Sequence, residues 1–119
     1  DARDKKDRLL LAAYRSEEDI LQVMSGELEV LEEQKEVIGA SVRDQRKSLR
    51  DLVAQAADFE RTGQPIPVEV TTPISSIQQV IVRQRNQLHR LEEQLTFSRA
   101  NYEEDLARYR ELSSDQSTP

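Results

Sequence analysis

His89, the pair Glu92-Glu93 and the run Glu103-Glu104-Asp105 are the side chains of this 119-residue chain with the most obvious chemical potential. An imidazole beside carboxylates can ligate a divalent metal, and two carboxylates held apart can share the work of a general acid and a general base. The spacing argues against both. His89 is the only histidine, its neighbours Gln87 and Arg90 are poor ligands, and it falls at an outward position beside the apolar Leu88. Acid–base work needs a concave, partly dry pocket, which the helical pattern described below does not supply, so the carboxylates read as a solvated charged face. The chain has no cysteine, no Gly-x-Ser-x-Gly elbow and no glycine-rich phosphate loop. The residues therefore predict no enzyme, no metal and no cofactor.

Charge placement says more. Arg43, Arg46, Lys47 and Arg50, followed later by Arg83, Arg85 and Arg90, form a basic group opposed only by Asp44. Glu27, Glu29, Glu32, Glu33 and Glu36 on one side, and Glu92, Glu93, Glu103, Glu104 and Asp105 on the other, form an acidic counterpart. Solubility alone accounts for such an arrangement. The alternative is an electrically polar element whose basic girdle takes an anionic polymer, a lipid headgroup or the acidic half of a second copy. The net charge of −6 argues against general affinity for nucleic acid.

Two long patterned segments must position these groups. Leu21, Met24, Leu28, Leu31, Lys35, Ile38, Val42, Gln45, Leu49, Leu52, Ala56 and Phe59 recur at alternating three- and four-residue steps. So do Ile74, Ile77, Ile81, Gln84, Leu88, Leu91, Leu95, Ser98, Tyr102, Asp105, Tyr109 and Leu112. Such a/d heptads predict an all-α fold: an antiparallel two-helix coiled-coil hairpin, with room for a short extra N-terminal helix and for two hairpins to pair into a bundle. Aromatic residues at 4% and charged residues at 34% suit a narrow seam better than a broad core.

In chain order, residues 1–15 are a charged lead-in followed by the apolar Leu9–Tyr14 stretch, and Ser16 before Glu17, Glu18 and Asp19 reads as a helix N-cap. The hairpin spans 16–112: a helix over 16–61, a connection over 62–72 holding Gly63, Pro65 and Pro67, and a helix over 73–112 opened by Thr72-Pro73. Residues 113–119 read as a disordered polar tail. Layering the seams sets Phe59 opposite Ile74, Leu52 opposite Ile81, Leu49 opposite Gln84, Lys35 opposite Ser98, Leu31 opposite Tyr102 and Leu21 opposite Leu112. Gly39 reads either as a tolerated surface glycine or as a notch for a neighbouring helix. Val23, Val30 and Val37 repeat every seven residues outside the seam and suggest a face covered by another helix, most simply a second copy.

The longest apolar run, Leu9 to Tyr14, is far short of a membrane span. The chain opens on Asp1 without an initiator Met and without an apolar leader, as expected of a processed or excised piece. By composition alone a cytoplasmic address stays open.

Three blocks carry a resemblance: Asp7–Ile20, Ala56–Pro67 and Asp105–Leu112. They resemble the C-terminal coiled-coil region of a family of uncharacterised proteobacterial envelope proteins that carry a signal peptide and a small N-terminal β-rich domain. The resemblance implies an exported, periplasmic or envelope protein with no known activity. With the seam it yields one expectation: a non-catalytic scaffold hairpin that contacts itself or another envelope protein.

Overall fold

Each helix starts and stops where a side chain or a turn can satisfy its orphan backbone groups. The computed structural model describes residues 1–117 and contains α1 (Ala2–Ala13), α2 (Glu17–Arg61) and α3 (Val68–Ser117). Asp1 caps α1 by accepting the Asp4 N–H at 2.8 Å. Tyr14 then leaves the helix with φ −127° and ψ 139°. Ser16 accepts the Asp19 N–H at 3.2 Å while the Asp19 carboxylate accepts the Arg15 N–H at 2.9 Å, so α2 opens on a reciprocal pair of caps. At its other end Gly63 takes φ 72°, with Gly63 N–H donating to the Glu60 carbonyl at 3.1 Å and Gln64 N–H to that of Phe59 at 2.9 Å. This double closure is a Schellman turn, and its left-handed residue favours glycine.

The helix α3 begins at Val68, not at Pro73, because the Pro67 carbonyl already accepts the Val70 and Thr71 amides at 3.0 and 3.2 Å. Pro73 therefore lies inside the helix and offers no N–H to the Glu69 carbonyl. The lost bond and the crowding of the proline ring against that carbonyl cost on the order of 3 kcal/mol inside a helix. Val70 is buried, which contributes about 1.5–3 kcal/mol and offsets most of it. At the far end the helix continues over 113–117, where the sequence pattern predicts a disordered tail; residues 118–119 of that tail lie outside the described residues.

The chain divides into two compact units. In the first, residues 33–92, the descending part of α2 and the ascending part of α3 form an antiparallel hairpin whose buried residues are Val42, Val70 and Ile81. Ile38, Leu49, Leu52, Ala56, Phe59, Ile74, Ile77, Leu88 and Leu91 flank them, half-buried, at the a and d positions. In the second, residues 1–32 with those from Glu93 onward, α1 joins the pair and the interior widens. Leu10, Ile20, Leu106 and Tyr109 form its buried cluster, packed against Leu11, Tyr14, Tyr102 and Leu112.

Two features depart from the simple hairpin pattern. The seam residue Leu21 is 39% exposed whereas its neighbour Ile20 is 0% exposed, because a third helix draws the buried face of α2 toward α1. The register also differs. In the first unit Gln84 meets Ser41 rather than Leu49, and Lys35 meets Glu92 rather than Ser98; in the second, Tyr102 meets Glu27 rather than Leu31. In the first unit the two contacts, displaced by eight and six positions, amount to a slip of about one heptad, which keeps every a facing a d and so leaves the seam pattern equally satisfied.

Ile20→Ala should cost about 2–5 kcal/mol in urea unfolding and Leu21→Ala less than about 1 kcal/mol. Equal losses at the two positions would mean that α1 does not cover Ile20.

Candidate interaction surfaces

The seven basic residues of the girdle lie in the unit of residues 33–92: Arg43, Arg46, Lys47 and Arg50 on α2, and Arg83, Arg85 and Arg90 on α3. All seven are exposed, and none joins an ion pair among the described residues. On α2, Arg43 and Lys47, and likewise Arg46 and Arg50, stand four residues apart, where like charges repel by a few tenths of a kcal/mol. The fold makes no use of these cations. Lys35, in contrast, contacts Glu92 at 3.8 Å.

The repeating valines are also outward. Val23 and Val30, in the unit that contains α1, are 47% and 52% exposed, and Val37, in the other unit, is 70% exposed. His89 is exposed on α3. Among the described residues no three His, Cys, Asp or Glu side chains are placed to hold a metal ion, and no helix is long and apolar enough to cross a membrane.

A polar clasp absent from the sequence expectations holds α1 in place. The Arg108 guanidinium donates to both oxygens of Asp7, at 2.9 and 2.7 Å, and to Glu111 at 2.7 Å, while Lys6 approaches Glu104 at 3.9 Å. The Tyr109 hydroxyl donates to the Tyr14 carbonyl at 3.4 Å, tying α3 to the residue where α1 ends. Beside this clasp a cleft of about 400 Å³ opens between α1 and α3, bounded by Arg3, Lys6, Asp7, Glu104, Arg108 and Glu111. Asp105 lines it too, and five of these seven charges bond one another, so the cleft reads as the flank of a structural contact rather than a receptor for ligand. Asp7 and Arg108 are 101 positions apart, and no periodicity in the sequence links them.

Hydrogen bonds from Arg108 hold the Asp7 carboxyl below its ordinary range, although partial burial opposes the shift. The same bonds to Asp7, and then to Glu111, keep the Arg108 guanidinium more firmly protonated than usual. Tyr102 donates to Glu27, and that bond, followed by burial and the carboxylate charge, pushes its phenol up to about 12. In the other unit Gln84 donates to the Ser41 hydroxyl at 2.7 Å, and its own side-chain oxygen is buried without a partner.

The depressed Asp7 value means that its stabilisation is complete above the unfolded value of 3.8 and is lost as pH falls through the lower folded value. Tyr102 works in the opposite sense: its share is complete below 10.0 and is lost as pH rises toward about 12. Asp7→Asn should accordingly flatten the fall in urea midpoint between neutral pH and about pH 3, and Tyr102→Phe should flatten the alkaline fall. Parallel profiles for variant and unmodified chain would deny the corresponding bond any energetic role. Set beside known proteins, the chain matches no family model, no curated protein and no solved structure.

Proposed function

We propose that this chain is a non-catalytic helical scaffold that mediates protein–protein contact in the bacterial envelope. The observation that carries the reading is the surplus of outward side chains that the fold itself leaves unused. Exposed Val23, Val30 and Val37 contribute nothing to the seam, and seven cations stand without carboxylate partners among the described residues. Side chains of that kind gain most from a second surface that removes the valines from water and neutralises the charge. The periplasmic or envelope address follows from the resemblance of the Asp7–Ile20, Ala56–Pro67 and Asp105–Leu112 blocks.

The unpaired cations also support a second reading, in which the girdle binds an anionic polymer or lipid headgroup. Salt distinguishes the two. Binding to a polyanion through several cations falls steeply as salt rises, whereas a contact through valines barely responds. A photo-crosslinking residue in place of Val30 or Arg83 should give adducts of discrete protein mass in producing cells. Adducts confined to lipid or polymer, or no adducts, would sink the scaffold reading.

A further inference from the structure

The acidic and basic stretches of α2 are related by a mirror in the sequence. Reversing the helix about the peptide between Gly39 and Ala40 sets Glu36 against Arg43 and Glu33 against Arg46, all within the unit of residues 33–92. Along the same uninterrupted helix the sequence continues the pattern, with Glu32 against Lys47 and Glu29 against Arg50. Lys35 and Asp44 also mirror with opposite sign, so no charged residue from Glu29 to Arg50 lacks an opposite at its mirrored position. Lys35 sits in the seam and is engaged with Glu92, which takes that pair out of any outer contact.

Six of the other eight charges share a surface of the unit of residues 33–92. Glu36, Arg43 and Arg50 are at b, Arg46 at e, and Glu33 and Lys47 at f, an arc of about 100° pointing away from the seam. All eight side chains are exposed. Gly39 at e and Ala40 at f occupy the middle of the same arc.

Gly39 is an independent clue. Glycine weakens the interior of a helix relative to alanine, so it needs a reason to be there. The chain itself supplies none: a Cβ at Gly39 would meet only the far end of the flexible Arg43 side chain, at 3.7 Å. A second backbone passing close by would supply one.

We propose that α2 pairs antiparallel with α2 of a second copy, across a two-fold axis at Gly39-Ala40, with Glu36 of each copy on Arg43 of the other and, since f faces f across such a contact, Glu33 on Lys47. The inference rests on the scaffold reading and names its partner. A second copy fits these observations better than an anionic polymer does. A polymer calls for cations alone, whereas here each cation comes with an acid at the position that only a reversed copy of the same helix would face. The contact is self-complementary and closed, as an isologous dimer requires.

Two charge-swapped forms of the full chain test it. Glu33→Arg/Glu36→Arg alone, and Arg43→Glu/Lys47→Glu alone, each set like charges against one another and should weaken self-association at least about tenfold in sedimentation equilibrium. Mixed in equal amounts they restore all four central contacts, so the mixture should associate about as tightly as the unmodified chain. Gly39→Leu should keep or raise the melting temperature and abolish association, since only the partner backbone is in its way. Association of the unmodified chain should weaken as salt rises. A chain that is monomeric at high concentration in low salt, swapped forms that associate as before, or a mixture that stays monomeric would each overturn the proposal. So would a monomer that binds polyphosphate through these arginines. A monomer that still forms adducts with a different protein at Val30 would overturn the dimer and leave the scaffold reading standing.

Discussion

Two packed helices can bury only a strip of each other. In the unit of residues 33–92 this limit leaves Val42, Val70 and Ile81 as the buried residues, with the remaining a and d positions half open to water. Where α1 joins, the limit relaxes: Ile20 is sealed, and Leu10, Leu106 and Tyr109 collect around it. The strip also explains where function has to reside. A seam this narrow is filled by its own apolar side chains, so recognition falls to the outward arcs of the helices. There α2 carries valines and sorted charge that the seam does not need.

Local chemistry was readable from the sequence because its causes are local. Ser16 with Asp19 opens a helix and Thr62-Gly63 closes one wherever they occur, and the seam from Met24 to Phe59 shows in its spacing alone. What escaped depends on partners distant in the chain. The one-heptad slip between α2 and α3 is invisible to a pattern that repeats every heptad. The exchange of Leu21 for Ile20 requires knowing that α1 folds back onto α2. Of the surface residues singled out by the sequence, the seven cations and three valines are all outward, whereas the Asp7–Arg108 clasp had no signal in spacing or composition. Position along a heptad tells which side chains leave the seam. It does not tell which of them meet.

The ion pair between Lys35 and Glu92 bears on how the hairpin finds its register. Registers one heptad apart layer apolar residues almost equally well, so hydrophobic burial alone would let the chain zip into either and then wait for slow unzipping to correct the error. The Gln84–Ser41 hydrogen bond does not separate the two, because Ser48, one heptad on, takes the place of Ser41 in the alternative register. Lys35 does: the place that Glu92 holds beside it falls in the alternative register to Arg99, a like charge. The trap that this guards against is kinetic: a hairpin correctly folded in every helix and one heptad out of place.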